Sequence, residues 1–447
     1  MAVPPASRVV LSFRLFYPLL LLLLSSFLLE AEANFRYPRA ADALRSSKRL
    51  SAFGGRDRNM TEPLPRGFKT YFYTQPFDHG NFEPDGYGTF KQKFVMNREY
   101  WAGHNSTAPM IFYFGSEGKL DTQDPGFVLD LCKNLSSILL AAWFRLKYPH
   151  IAAVAIASSA PIYYFDKNMN SHAYDQVITE DFKNVSNHCY RTIRKSWSKI
   201  DEIASEPDGL ANLTQKFKTC VQLNKSSELK GFLVSMYSYA AQYNDPPNPA
   251  VNRICKGIDD ASKKTNDVLD QVYEGIVSYF GNLTCYDMNH FDAPSETNDG
   301  WSWQTCSALM MHIGQGGKGS LFEGNQPYKL GLQKRRCMKM FNVTSRPYMI
   351  STQYGGLNLK LALKQFGSNL VFTNGLKDPY SRAGVLEDIN ESIVAITTQN
   401  GSHALDMVAP TESDPSWLVD QRNKVVQTVQ KWLDQYYADL TEYLKNN

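Results

Sequence analysis

Two residues near the C-terminus, Asp378 and His403, have the types and the spacing of a proton-transfer pair. A histidine accepts a proton near neutral pH, and a carboxylate beside it fixes its tautomer and stabilises the imidazolium that forms. Taken singly, each residue fits a turn or the surface equally well. Each, however, directly follows an apolar run typical of a buried strand, 369–373 before the aspartate and 392–397 before the histidine. The carboxyl ends of parallel strands meet at one edge of a sheet, so we predict that the two side chains lie together.

The runs around this pair predict an α/β core that a long helical stretch interrupts. Alternating or continuous apolar patterns predict strands at 68–72, 89–95, 110–114 and 151–157, and a helix at 139–148. After residue 165 the pattern changes to amphipathic helices and polar loops, and strand patterns return near the C-terminus. A last amphipathic helix carries an apolar stripe formed by Val425, Val429, Trp432, Tyr436 and Leu440.

The length of 447 residues exceeds one ordinary hydrophobic core, which predicts two domains or one domain with a large insertion. The N-terminus has Arg8 and Arg14, then an apolar run too short to span a bilayer, then a small-x-small pattern at 31–33. We therefore expect five segments: a signal peptide at 1–33, a pro-segment or flexible arm at 34–64, the first part of the α/β core at 65–164, the helical insertion at 165–349, and the second part of the core at 350–447.

Two further features agree with a secretory address. Asn-x-Ser/Thr acceptors are far more frequent than chance would give. They stand at Asn59, Asn105, Asn134, Asn184, Asn212, Asn224, Asn282, Asn342, Asn390 and Asn400. An even set of cysteines lies within the helical insertion, which predicts up to three disulfides of unspecified connectivity. These are Cys189, Cys220, Cys255, Cys285, Cys306 and Cys337, while Cys132 is left over.

Other classes of function find no support in the composition. The formal net charge is +3, and no basic stripe with interleaved aromatic residues suggests nucleic-acid binding. No Cys-x-x-Cys pair supports a zinc site, and we expect no metal and no cofactor. Once the signal peptide is removed, we expect no membrane span. A homodimer is compatible with the sequence but not specified by it.

The proton-transfer pair needs a nucleophile, and the sequence does not supply one in the usual form. A nucleophilic serine at the top of an α/β sheet sits in a strained, glycine-lined turn with the pattern Gly-x-Ser-x-Gly. That pattern occurs nowhere in the chain. Ser136 and Ser137 lie at the predicted start of a helix, where serine is usually a cap, so we do not assign either as a replacement.

Several motifs together make the chain resemble the prolyl (Pro-X) carboxypeptidase and dipeptidyl-peptidase family of serine exopeptidases. The matching stretches are 74–82, 112–118, 140–150, 159–161, 374–381 and 401–406. The resemblance implies an α/β-hydrolase core, a helical disulfide-bonded cap formed by the insertion, and cleavage beside proline in an acidic compartment such as a lysosome or vacuole, or outside the cell. The substrates or ligands would be proline-containing peptides.

The resemblance also implies roles for particular residues. Asp378 would orient His403, and His403 would act as the general base. The loop formed by Gly115, Ser116, Glu117 and Gly118 would supply the oxyanion hole. Trp301 and Trp303 resemble an aromatic segment that packs on a substrate proline, although a place in the core of the cap explains them equally well.

One departure from the family pattern determines whether we expect peptidase activity. The family has its nucleophile in a Gly-Gly-Ser-Tyr-Gly-Gly turn before the helix that begins here near residue 140, and Leu135 stands in the place of the serine. Only 21 residues separate Gly118 from Leu140, whereas one strand–helix–strand unit takes about 30. We therefore expect an α/β-hydrolase core that lacks two central strands and has little or no peptidase activity. The alternatives are a non-catalytic peptide-binding pseudoenzyme, and an incomplete gene model or splice form of an active peptidase.

Overall fold

The structure is a computed structural model, and it describes residues 67–76, 88–98, 111, 127–128, 142–166, 168–355 and 358–446. The predicted signal peptide and the 34–64 arm lie outside the described residues. So do Leu135, Cys132, and the predicted oxyanion loop of Gly115, Ser116, Glu117 and Gly118. The glycosylation acceptors Asn59, Asn105 and Asn134 and the predicted strand at 110–114, apart from Ile111, also lie outside them.

The described part of the chain alternates short strands with a long succession of helices. In chain order the elements are β1 (Phe68–Pro76), β2 (Thr89–Asn97), α1 (Ala142–Lys147), β3 (Ala155–Ser158), α2 (Ala173–Val185), α3 (Asn187–Ala204), α4 (Gly209–Lys216), α5 (Ser226–Gln242), α6 (Ala250–Ser262), α7 (Val268–Phe280), α8 (Glu296–Ser307), β4 (Gln315–Gly316), β5 (Asn325–Gln326), α9 (Leu330–Phe341), α10 (Met349–Tyr354), α11 (Leu359–Phe366), β6 (Leu370–Gly375), β7 (Ile393–Thr398) and α12 (Ser416–Asn446). Single 3₁₀ turns occur at Ile162–Phe165, His290–Asp292, Ser381–Ala383 and Leu405–Met407.

Strands β3, β6 and β7 form a parallel sheet with β6 in the centre. Ala155 pairs with Leu370, and Leu370 pairs with Ile393 on its other side. All six residues of β6 are buried, as expected for a parallel strand with a neighbour on each side and a layer on each face. The carboxyl ends of β6 and β7 therefore lie side by side at one edge of the sheet.

Helices cover both faces of this sheet, and successive side chains of β6 point to opposite layers. Val371 packs against α12, whereas Leu370 and Phe372 face the layer that contains α11. On α12 the predicted stripe is buried at Val425, Val429 and Trp432, but Tyr436 and Leu440 are exposed. The sheet is short, so the helix extends beyond the surface that it covers.

Strands β1 and β2 form a separate antiparallel pair, in register from Phe68 with Asn97 to Pro76 with Thr89. Within the described residues, no ladder joins this pair to the three-stranded sheet. The alternating pattern that predicts β1 does not bury one clean face, since Phe72 and Tyr73 are 64% and 62% exposed.

Helices α2 to α8 pack around the largest hydrophobic core of the described chain. Its centre contains fully buried aromatic side chains such as Tyr174, Phe182, Phe217 and Tyr237. No helix in the described ranges has both the length and the apolar character needed to cross a bilayer.

All six cysteines of the helical region form disulfides, as the even count predicts. The bonds are Cys189–Cys255, Cys220–Cys285 and Cys306–Cys337. The first joins α3 to α6, and the last joins α8 to α9. The second joins the segment after α4 to the segment after α7. Each bond therefore fixes segments that are neighbours in space although 31 to 66 residues apart in the chain.

Candidate active site

Asp378 and His403 meet at the carboxyl edge of the sheet. The aspartate Oδ2 lies 2.7 Å from Nδ1 of the histidine. Asp378 is fully buried, and His403 is 7% exposed. The other carboxylate oxygen, Oδ1, accepts a hydrogen bond of 2.9 Å from the backbone N–H of Tyr380. Because a carboxylate beside Nδ1 favours the proton there, Nε2 is the nitrogen that could accept a proton from a reacting group.

Two glycines allow the aspartate and histidine loops to approach this closely. A Cβ atom on Gly375, the last residue of β6, would lie 2.2 Å from the carbonyl carbon and oxygen of Gly401. The backbones are also hydrogen-bonded, with Leu376 N–H donating to Thr398 O at 2.8 Å and Lys377 N–H donating to Gly401 O at 3.0 Å. The pair of functional side chains thus stands on two loops in direct backbone contact.

The helical region holds the histidine from the opposite side. The His403 N–H donates to the carbonyl of Gln242, the last residue of α5, at 3.0 Å. The hydroxyl of Ser402 donates to the carboxylate of Asp245. The rings of Tyr380 and Tyr243 stand 5.3 Å and 6.3 Å from the imidazole centroid. Segment 242–245 of the insertion therefore forms one wall of the site.

Hydrogen bonds join the loop after the histidine to two strands of the sheet, β3 and β6. Asp406 accepts hydrogen bonds from Ser158 Oγ at the end of β3, at 2.6 Å, and from Thr373 Oγ1 on β6, at 2.7 Å. Ser159 Oγ accepts a hydrogen bond of 2.9 Å from the N–H of Ala404. Ser159 and Ala404 both have a positive φ, at 47° and 52°, which non-glycine residues adopt mainly where the surroundings impose it.

A buried arginine on α12 binds the backbone of the same loop. Arg422 on α12 donates to the carbonyls of Asp406 at 2.9 Å, Leu405 at 3.2 Å and Val408 at 2.8 Å. It also pairs with the carboxylate of Asp414. Its planar guanidinium presents several donors in fixed directions, which suits a cluster of carbonyl groups.

Several carboxyl groups near the pair have raised pKa values because they are buried. Burial raises the pKa of Asp175 to about 7 and that of Asp181 to about 8, although the positive charge of Lys377 partly offsets the second shift. Burial also raises the pKa of Asp245 to about 6, against the opposing effects of the Ser402 hydrogen bond and the His403 charge. The pKa of the Tyr164 hydroxyl is raised well above its usual value by burial and by the charge of Asp378. These three buried carboxyl groups therefore keep their protons to higher pH than exposed carboxyl groups do.

The remaining predicted site residues are placed as follows. Trp301 is buried in the helical core, while Trp303 on the same helix is 49% exposed. Leu135 and the 115–118 loop lie outside the described residues. Among the described residues, no group of three or more His, Cys, Asp or Glu could hold a metal ion.

The serine hydroxyls beside His403 in the chain and across the loop are already engaged. Ser402 donates to Asp245, and Ser159 accepts from the Ala404 backbone. Neither arrangement is that of a nucleophile hydrogen-bonded to its base.

Sequence reasoning did not assign Asp245, Asp406 or Arg422. Asp406 falls within the 401–406 motif, so its presence was noted without a role. Asp245 and Arg422 carry no local signal, because only folding brings them to the histidine loop across 157 and 16 residues of chain.

Comparison with known proteins agrees with this geometry. The sequence model of the serine carboxypeptidase S28 family matches residues 136–425. Lysosomal Pro-X carboxypeptidase of Mus musculus is 27% identical over 503 aligned positions, which cover 94% of this chain and 99% of the mouse protein. The protein of the same name from Homo sapiens is 26% identical over 505 positions, covering 94% and 98% of the two chains. Prolyl carboxy peptidase like protein 5 of Caenorhabditis elegans is 27% identical over 324 positions, or 66% of this chain and 63% of that one.

The lengths of these alignments carry further information. The alignment with the mouse protein extends over 503 positions, whereas this chain has 447 residues. The mouse protein therefore has residues with no counterpart here, even though almost the whole of both chains is covered.

Proposed function

Because the chain belongs to the serine carboxypeptidase S28 family, we propose that it is a Pro-X carboxypeptidase-like protein that retains the acid–base pair and has lost the nucleophile. The observation that carries the proposal is Leu135 at the place of the serine, in a chain without any Gly-x-Ser-x-Gly turn. As written, this chain hydrolyses peptide bonds beside proline slowly or not at all.

The retained pair supports the family's reaction type. In acyl transfer, the serine hydroxyl gives its proton to Nε2 of the histidine as its oxygen attacks the carbonyl, and the histidine later returns a proton to the leaving amine. Asp378 has the distance and burial needed to hold His403 in the required tautomer. Water then hydrolyses the acyl-enzyme with the same base. Without the serine oxygen no acyl-enzyme forms, and correct placement of the pair gives no turnover.

The unequal alignment lengths support a loss of residues inside the chain. Our proposal places that loss between Gly118 and Leu140, where the sequence is too short for two strands and a helix. A gene product that contains the missing residues would be an active peptidase. Sequencing transcripts across this interval distinguishes a real deletion from an incomplete gene model.

We further propose that the chain resides in the secretory pathway, in a lysosome-like or extracellular compartment. The similarity to mammalian lysosomal Pro-X carboxypeptidases supports this location. Six of the seven acceptor asparagines in the described ranges are exposed, as glycan attachment requires, and Asn390 is partly exposed.

Covalent labelling tests the loss of the nucleophile directly. A fluorophosphonate probe forms a bond only with an activated serine, so we expect no labelling of the purified full chain. A Pro-X carboxypeptidase labelled in parallel is the positive control, and His403→Ala shows whether any signal depends on the base. Strong labelling that disappears in His403→Ala would overturn the proposal.

A peptide-binding function without catalysis is the second candidate. It is favoured by the intact helical region and by the exposed indole of Trp303, since an aromatic face packs well on a pyrrolidine ring. Calorimetry with a proline-containing peptide, with an alanine analogue as the control, measures it. Heat of binding that is lost in Trp303→Ala supports this function, and a flat titration ends it.

A further inference from the structure

One glycosylation acceptor differs from the others in its position, because it adjoins the candidate site. Asn400 begins the sequon Asn400-Gly401-Ser402, and His403 follows immediately. Asn400 is exposed, whereas Gly401, Ser402 and His403 are all buried. The chain therefore passes from solvent into the site within one residue, and the asparagine is the last exposed position before the base.

The edge of the sheet to which Asn400 belongs is fixed by hydrogen bonds. Strand β7 ends at Thr398, whose carbonyl accepts from Leu376 on the aspartate loop, and the carbonyl of Gly401 accepts from Lys377. These two bonds bracket Asn400 and hold its backbone beside the Asp378 loop. Three residues of chain span at most about 11 Å, so the Cα atom of Asn400 lies within that distance of His403.

A second acceptor, Asn390, lies at the other end of strand β7 and provides a contrast. Asn390 precedes β7, and Asn400 follows it. A six-residue strand is about 20 Å long, so sugar chains on the two asparagines would stand at opposite edges of the sheet. Only the edge at Asn400 carries the Asp378–His403 pair.

We propose that Asn400 carries an N-linked glycan that stands beside the loops of Asp378 and His403 and restricts the approach of bulky polypeptides to them. This inference rests on the secretory location and the site assigned above. The modification transfers an oligosaccharide from a lipid pyrophosphate donor. A bond forms between the asparagine Nδ2 and the anomeric carbon, the bond from that carbon to the pyrophosphate breaks, and the amide loses a proton. The product is a bulky, hydrated group that adds no charge.

Attachment to the unfolded chain explains why the buried serine is no obstacle. Ser402 is needed as the third residue of the sequon before folding, and afterwards its hydroxyl donates to Asp245. The same serine is thus first part of the sequon that is recognised for glycosylation, and after folding it binds Asp245 in the wall of the site.

The test uses the full chain secreted from a eukaryotic host. Mass spectrometry of glycopeptides first gives the occupancy of each acceptor, and we expect Asn400 to be occupied. A thiol is then introduced by Lys377→Cys on the aspartate loop, at a partly buried position whose backbone contacts Gly401. Its labelling by a small maleimide and by a polyethylene-glycol maleimide is followed by peptide mapping at residue 377.

In the background of Asn400→Gln, we expect labelling by the bulky reagent to accelerate on the order of three-fold, because a bulky solvated group has been removed. Labelling by the small reagent should stay unchanged. Asn212→Gln, which removes an exposed acceptor on α4, is the matched control and should change neither rate. Endoglycosidase trimming of the unsubstituted acceptor repeats the measurement without a substitution at Asn400.

Two results overturn the inference and leave the proposed function intact. These are occupancy at other acceptors but not at Asn400, and occupancy at Asn400 with equal bulky-reagent rates before and after its removal. Absence of glycans from every acceptor overturns both the inference and the proposed secretory location.

Discussion

The helical region, α2 to α9, and the three-stranded sheet achieve their order by different means. The helical region has three disulfides and the largest core among the described residues, and the disulfides join segments that are distant in the chain. The sheet region has no disulfide among its described residues, yet it holds Asp378 and His403 through backbone contacts and buried polar groups. The comparison teaches that covalent bonds stabilise the part that carries no proton-transfer chemistry. The part that does carry it depends on close packing of two loops.

The largest effect should come from removing a disulfide of the helical region. Replacing both Cys189 and Cys255 by serine frees a loop of 66 residues and should reduce the free energy of unfolding by about 4 kcal/mol. Urea unfolding followed by far-ultraviolet circular dichroism measures this change. An unchanged midpoint would show that the helical core does not depend on its disulfides and would remove the contrast between the regions.

Two glycine substitutions, one in each region, compare how closely the sheet loops and the helices are packed. Gly375→Ala puts a Cβ atom 2.2 Å from the Gly401 backbone and should cost about 3 kcal/mol, because neither loop has room to move. Gly231→Ala on α5 meets no atom within 4 Å and should stabilise the chain by up to about 1 kcal/mol through helix propensity. The two midpoints in urea give the result. A tolerated Gly375→Ala would mean that the two loops are not in close contact.

The pH dependence of stability tests the buried acids that lie between the regions. Asp175 and Asp181 have folded-state pKa values raised to about 7 and about 8, above the usual 3.8, so the folded state binds more protons than the unfolded state between these limits. Stability is therefore greatest in acid and falls as pH rises through these values. We expect the free energy of unfolding to be greater at about pH 5 than at about pH 8.

The control for this prediction is the double variant Asp175→Asn and Asp181→Asn. In this variant, the free energies of unfolding at the two pH values should differ less than in the original chain. Asp181 faces Lys377, Glu180 and Asp378 where the helical region meets the aspartate loop, and Asp175 on the same helix accepts a hydrogen bond from the Gly316 backbone. Equal or greater stability of the original chain at the higher pH would refute the assignment.

The smallest effect should come from a surface ion pair between the same regions. Arg382 beside the aspartate loop pairs with Glu180 on α2 at 2.9 Å, but both side chains are about half exposed. Water and salt screen such a pair, so Arg382→Ala should change stability by less than about 0.5 kcal/mol. A larger loss in the same urea assay would indicate that surface charge joins the regions more strongly than their buried contacts suggest.

The sequence predicted the central part of the fold because the relevant signals are local. The apolar runs at 369–373 and 392–397 lie within one or two residues of β6 and β7, and they placed Asp378 and His403 correctly just beyond them. The run at 151–157 was predicted as a longer strand than β3, which begins at Ala155. Ile151 is 59% exposed in a turn, because apolar composition alone does not specify where ladder hydrogen bonds begin.

The contacts that complete the site were not predictable because they join distant segments. The connectivity of the disulfides depends on which helices pack together, and six cysteines allow fifteen pairings. The same holds for Asp245, which the insertion brings to Ser402, and for the support of the histidine loop by Arg422. Burial of these polar groups depends on their partners, and single-residue patterns carry no information about partners.

The hydrogen bond from Tyr380 N–H to Asp378 has a consequence for the evolutionary history of the chain. A substitution of this aspartate would leave a buried amide without an acceptor, so natural selection for folding alone would oppose it. Such an aspartate would persist even in a relative that had lost the reaction. Genomic surveys that count surviving catalytic aspartates will therefore overestimate how many members of such a family are still working enzymes.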